Sequence, residues 1–183
     1  MEIRETPIKD VYEIYPEVYN DARGYFLETY KKDLFERNNL PTDWMQDNQS
    51  YSMAGILRGL HFQQGEFAQA KLARVIIGKV LDVCVDLRKG SPTFGKHHTV
   101  ILDGVQHNML YIPKGFAHGF AVLQDAVFSY KCSNLYHKES EGGMIWNDKT
   151  LNIDWIVANP ILSEKDKLWP SLEEFRTNSE GGL

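Results

Sequence analysis

The sequence predicts an all-β sandwich or barrel carrying a few short helices. Two observations carry that prediction. First, apolar runs are short, rich in Val, Ile, Phe and Tyr, and cut at close intervals by Gly, Pro, Asn and Asp; that spacing belongs to sandwiches and barrels. Second, the clearest run, Val80 to Leu87, alternates: Leu81, Val83, Val85 and Leu87 are interleaved with Asp82, Cys84 and Asp86, the period of two of a strand.

In chain order, Lys32 to Asn38 has the composition of a short helix. RGLHFQ (58–63) reads as an apolar, strand-like run. After Val80–Leu87, RKGSPTFG (88–95) is a loop. Thr99–Leu102, Met109–Ile112, Gly119–Leu123 and Ala126–Lys131 follow as short strands, and Lys114-Gly115 after Pro113 marks a turn. Ser163 to Leu168 can start a helix, because Asp166 stands three residues after Ser163 in the spacing of a capping box. Thr177 to Leu183 reads as a loose tail. There is no internal repeat, linker or low-complexity segment, so one domain over 1–183 is expected.

The 183 residues carry a formal net charge of −5. A general affinity for nucleic acid or an anionic membrane is therefore not expected. An anionic ligand would need a local cluster of Arg and Lys. No apolar run approaches the ~20 residues that span a bilayer. The opening MEIRETPIKDVYEIYPEVY lacks a signal peptide's apolar core, and a cytoplasmic protein is expected. Cys84 and Cys132 have no CxxC spacing, which argues for two reduced thiols rather than a zinc site or disulfide framework.

Polar residues are densest between Gln46 and Lys71, in QDNQS (46–50), RGLHFQ (58–63) and QAK (69–71). Taken singly, most have ordinary explanations. Arg23 and Glu28 can be surface charges, Asp47 and Asn48 turn formers, Lys71 a solvated cation and His118 a satisfied core histidine. His61 is harder to dismiss. It lies between Leu60 and Phe62, where a buried polar ring needs a partner, and an imidazole ordinarily titrates near ~6.5, suiting it to take a proton at neutral pH. Asp166 is a candidate partner, although it can equally serve only as a helix cap. Arg58 and His61 stand three apart, so in a regular strand they face opposite ways. They share a pocket only if the chain bulges, which Gly59 permits.

The segments DARGYFLETY, QDNQSYS, ILRGLHFQ, QAKLARV, DVCVDLRKGSPTFGK, IPKGFAHGFAVL and YKCSNLY, in this order and spacing, resemble the dTDP-4-dehydrorhamnose 3,5-epimerase family. The resemblance runs from about Pro7 to Pro170. It implies a cupin-type jelly roll or small β-barrel, a homodimer, and a site in the barrel mouth that works without metal or organic cofactor. The implied substrate is a dTDP-4-keto-6-deoxy sugar, epimerised at the carbons flanking its ketone. The implied roles are His61 as proton acceptor, Asp166 as its orienting carboxylate, Tyr130 as proton donor and Lys71 as the cation beside the enolate oxygen. Arg58 and His118 become contacts near the sugar and diphosphate, and Gln46, Asp47 and Asn48 a nucleotide-contacting segment. Tyr136 would stack on thymine, with Glu141 and Lys165 as further binding positions. Arg23 and Glu28 match ligand contacts that reach across the dimer. Two departures are Phe62, where tyrosine is common, and a slightly short turn at Gln124–Val127.

Other readings share part of this pattern. IPKGFAHG carries a Pro-x-Gly-x-x-His pattern shared with metal-binding cupins, which would make His61 and His118 ligands. His61-Phe62-Gln63, however, lacks the second histidine of such sites, which want three or four ligands. A catalytically silent sugar-nucleotide-binding cupin would not need a base, an acid and a lysine together. A single-position epimerase or 3,4-ketoisomerase would use the same residue types.

Overall fold

In this computed structural model, residues 1–179 and 181–183 are described. The strands are β1 (Glu2–Glu5), β2 (Tyr12–Tyr15), β3 (Val18–Asp21), β4 (Gly24–Leu27), β5 (Gln46–Ser52), β6 (Leu57–Gln63), β7 (Lys71–Asp86), β8 (His97–Asp103), β9 (Met109–Ile112), β10 (Phe116–Cys132) and β11 (Glu141–Gly143). The helices are α1 (Lys32–Arg37) and α2 (Leu172–Asn178).

Two long antiparallel strands, β7 and β10, organise the jelly roll. The first part of β7 pairs with β9, and its second part with β8. Similarly, the first part of β10 pairs with β6 and its second part with β5. Each long strand thus crosses from one sheet to the other. The crossing occurs where their mutual register shifts between Val122 and Phe128. Gly78 sits there with φ +85, and a Cβ on it would lie 2.0 Å from the Asp125 carbonyl oxygen. Only glycine permits that approach. The turn expected at Gln124–Val127 is therefore an irregularity inside one continuous strand, and the two expected strands 119–123 and 126–131 are one.

Packing follows the period of two. Val80, Cys84, Phe116, Phe120, Val122 and Phe128 fill the space between the sheets. The opposite face of β7, Leu81, Val83 and Val85, with Leu87 just beyond the strand, packs against Met144, Leu151, Trp155, Leu172 and Phe175 of the C-terminal segment. Both faces of Val80–Leu87 are consequently buried, and the face that carries Asp82 turns into the barrel. A third cluster seats Phe35 of α1 against Leu72, Met109 and Tyr111.

Two expectations near the C-terminus need correction. Ser163–Leu168 forms only a single 3₁₀ turn at Lys165–Lys167. The full capping box lies at Ser171 and Glu174, heading α2. The loose tail expected at 177–183 is docked at its described residues, 177–179 and 181–183, and residue 180 lies outside them. Thr177 and Asn178 belong to α2, and Leu183 N–H donates to the Leu87 carbonyl at 2.7 Å while its own carbonyl accepts from Lys89 N–H at 3.0 Å. The two-residue apolar anchor, Leu172 and Phe175, draws this segment onto the sheet. Among the described residues, no helix is long and apolar enough to cross a membrane.

Candidate active site

The site lies where β5, β6, β7 and β10 converge at one end of the barrel. Inward positions on these strands alternate, so Gln46, Asn48 and Ser50 of β5 face the same way as Lys71 of β7 and His118 and Tyr130 of β10. Asn48, Arg58, His61, Lys71, His118, Tyr130, Lys165 and Asp166 border one cavity of about 720 Å³. A neighbouring cavity of about 320 Å³ shares Asn48, His61, Lys71 and Tyr130 and adds Gln46, Tyr136 and Glu141.

The required bulge is present at Gly59. In the pairing with β10, His61 stands opposite His118 and Arg58 opposite Phe120, so three steps along β6 match two along β10. The extra residue turns Arg58 and His61 to the same cavity. Gly59 has φ +127, and a Cβ there would meet Gly119 Cα at 2.5 Å and the His118 carbonyl oxygen at 2.9 Å. Backbone atoms cannot yield as a side chain can. Gly59→Ala should therefore lose at least ~2 kcal/mol of stability, lowering Tm by roughly 4–8 °C in a thermal melt. An unchanged Tm would mean that the bulge tolerates a side chain.

His61 Nε2 meets Asp166 Oδ1 at 2.6 Å, with the histidine side chain 27% exposed and the aspartate 3% exposed. The Asp166 carboxylate also faces the Gly59 N–H at 3.5 Å. Its own N–H donates to Ser163 Oγ at 3.2 Å. Asp166 is thus both capped by Ser163 and paired with His61, while its carboxylate does not complete a reciprocal capping box. Burial opposes its ionisation, but hydrogen bonds from His61, Ser163 and Gly59 outweigh that, holding the carboxyl below its usual range. A carboxylate on one imidazole nitrogen fixes the tautomer and leaves the other nitrogen as acceptor. Trp169 packs edge-on to the ring, centroids 6.2 Å apart.

Lys71 has no ion-pair partner among the described residues; its Nζ stands 5.8 Å from the Tyr130 ring centroid. Burial pushes its ammonium below the usual lysine range. Burial likewise pushes the Tyr130 phenol up, so it stays protonated. His118 Nε2 meets Asp82 Oδ1 at 2.8 Å, and burial lowers the imidazole's affinity for a second proton. Arg58 Nε donates to Ser52 Oγ at 3.0 Å.

At the mouth, Glu141 accepts from Tyr136 Oη at 3.2 Å and from Lys165 Nζ at 2.7 Å. Gln46 Oε1 accepts the Tyr136 N–H at 2.9 Å, and Gln46 Nε2 donates to Asn48 Oδ1 at 2.9 Å. Three expected residues lie elsewhere. Asp47 has the outward register of β5 and pairs with Lys131 at 3.0 Å. Arg23 and Glu28 lie at the β3–β4 hairpin, a separate two-stranded sheet, where they pair with Asp21 and Lys31. Sequence reasoning missed Ser52, Asp82 and Trp169. Of these, only Asp82 left a signal, a carboxylate inside an alternating apolar strand. Among the described residues, no group of three His, Cys, Asp or Glu side chains has the arrangement of a metal site.

The chain matches the profile of the dTDP-4-dehydrorhamnose 3,5-epimerase family over residues 5–174. It is 48% identical over 168 residues to the dTDP-4-dehydrorhamnose 3,5-epimerase of Shigella flexneri, covering 91% of this chain and 93% of that one. The fold matches the crystal structure of the dTDP-4-dehydrorhamnose 3,5-epimerase of Elizabethkingia anophelis with a TM-score of 0.91 at 49% identity, covering 95% and 97% of the two chains. It also matches the dTDP-6-deoxy-D-glucose-3,5-epimerase of Legionella pneumophila, solved in complex with dTDP-4-keto-L-rhamnose. There the TM-score is 0.92 at 42% identity, with 97% and 95% coverage.

Proposed function

Because the chain belongs to the dTDP-4-dehydrorhamnose 3,5-epimerase family, we infer that its cavity epimerises dTDP-4-dehydro-6-deoxy-D-glucose at C3 and C5, giving dTDP-4-dehydro-L-rhamnose. The observation that carries this is the convergence of His61–Asp166, Lys71 and Tyr130 on one cavity.

A proton beside a ketone is removed only if the electrons left behind are accommodated. His61 takes the proton, with Asp166 holding its tautomer and stabilising the imidazolium that forms. The electrons move onto the C4 oxygen, and the Lys71 ammonium meets the enolate in a water-poor pocket, where a fixed charge acts most strongly. Tyr130 returns a proton from the other face, inverting the carbon. C3 and C5 flank the same carbonyl, so one set of groups serves both exchanges once His61 has released its proton to solvent and Tyr130 has regained one from it. Arg58 and Lys165 supply positive charge for the diphosphate. Tyr136, 52% exposed, offers a ring face to the thymine, beside Gln46 and Asn48.

The active form is a homodimer, with Arg23 and Glu28 reaching the second copy's cavity. Supporting this, neither lines its own cavity, and both lie at a hairpin whose Tyr19, Tyr25 and Phe26 are each more than half exposed. Light scattering should give twice the 21.1 kDa chain mass; a monomer that remains fully active would exclude it. Two buried thiols and a sugar-nucleotide substrate fit the cytoplasm.

The test is conversion of dTDP-4-keto-6-deoxyglucose, with the product identified by NMR. Inversion at C3 and C5 is expected. Inversion at one carbon would narrow the activity to a single-position epimerase, and no conversion by folded protein would overturn it.

A further inference from the structure

His61 and His118 are direct cross-strand partners on β6 and β10, and each ring presents Nε2 to a buried aspartate. The proton-transfer reading uses only the His61–Asp166 pair. The second pair is the more secluded. Asp82 is fully buried on the inward face of β7, between Val80 and Cys84 and opposite Phe120. Its Oδ1 takes the His118 bond, and its Oδ2 is buried with no hydrogen-bond partner among the described residues. A half-satisfied carboxylate in an apolar wall weakens a fold rather than securing it, so its presence calls for a chemical use.

Two neighbours supply one. A carboxylate at Nε2 demands a proton on that nitrogen. His118 Nδ1 is then left as an acceptor, without a protein partner among the described residues, on a side chain that borders the cavity. Lys71 projects inward from the same strand as Asp82 and lacks an ion-pair partner among the described residues. We propose that Asp82 is a positioning residue for the epimerase reaction: it locks His118 as the Nε2–H tautomer, aiming Nδ1 at a sugar hydroxyl in the cavity that Lys71 also borders. This rests on the epimerase reading of the cavity. Asp82 favours the charged form of Lys71 against the burial that opposes it. Lys71 also faces Cys132 and Tyr130 of β10 and Glu141 of β11, all of which remain when Asp82 is changed, while Cys84 beside Asp82 is held protonated by burial.

Asp82→Asn keeps an acceptor for His118 and removes only the charge. With wild-type enzyme assayed in parallel, kcat should fall roughly 10–100-fold with KM changed far less. The alkaline limb of kcat should move to lower pH, because Lys71 loses its proton more readily, and Tm should not fall. Wild-type kcat and an unmoved limb would overturn the proposal, as would a fall in Tm with kcat and KM impaired together and no shift of the limb. An inactive wild type would instead sink the epimerase reading. The ¹⁵N spectrum of wild-type His118 decides independently of activity and of whether the variant folds: a protonated Nε2 with bare Nδ1 is expected, and the reverse tautomer overturns the proposal.

Discussion

His61→Ala folds, binds dTDP and loses epimerisation, with kcat down by roughly 10³-fold or more. A positioned general base contributes typically ~10²–10⁴-fold, and here the same ring serves both carbons. The nucleotide affinity survives because the groups proposed to hold the base and diphosphate, Gln46, Asn48, Tyr136, Arg58 and Lys165, reach the cavity from their own backbone positions and make no hydrogen bond to His61. Steady-state kinetics and calorimetric titration with dTDP separate the two quantities. Wild-type kcat would remove His61 from the base role. A parallel collapse of dTDP binding would mean that the change had disturbed the pocket rather than the chemistry.

Lys71→Met produces the second large effect, and it moves activity and stability in opposite directions. Losing one preorganised donor at a developing oxyanion costs roughly 10²–10³ in kcat, or ~3–4 kcal/mol. Yet Lys71 has no ion-pair partner among the described residues, and burial already opposes its charge. Exchanging a partly buried cation without an ion-pair partner for an apolar side chain of similar length removes a desolvation cost and is neutral or stabilising. The melt should therefore give an unchanged or higher Tm together with a near-inactive enzyme; a lower Tm or retained turnover would contradict the role. Lys71 also sets the sign of the alkaline pH dependence. Its proton is released below the normal lysine pKa of about 10.4, whereas burial keeps the Tyr130 phenol protonated to higher pH. In the wild type, activity falls as Lys71 deprotonates. In the methionine variant that limb disappears from the residual rate.

Those expectations depend on three-dimensional facts that the chain disclosed unevenly. A strand was legible where a short, continuous apolar run ended at turn residues, as at Met109–Ile112, which is buried throughout. One strand read as two at β10, because a strand that passes between two sheets carries its irregularity inside itself rather than at a turn. The helix at Leu172–Asn178 was hidden behind a polar C-terminus, although Ser171 and Glu174 spelled its capping box. In the site, the sequence named the need for a bulge at Gly59, since otherwise Arg58 and His61 could not face one cavity. It could not join positions 61 and 166, which depends on a 3₁₀ turn docked against β6. Nor could it separate Asp47 from Gln46 and Asn48, because which face of β5 turns inward is decided by pairing with β10. Asp82 escaped for the same reason. An alternating strand shows its polar face without saying whether water or a barrel interior lies beyond it.

Proton removal and return beside a ketone through His61 is the chemistry on which the epimerisation rests. It is tested most directly by incubating wild-type and His61→Ala protein with dTDP-4-keto-6-deoxyglucose in D2O and locating the deuterium by NMR. Deuterium should enter at both C3 and C5 with the wild type and at neither carbon with the variant. Absence of label with folded wild-type protein, or equal labelling by the variant, would contradict the account.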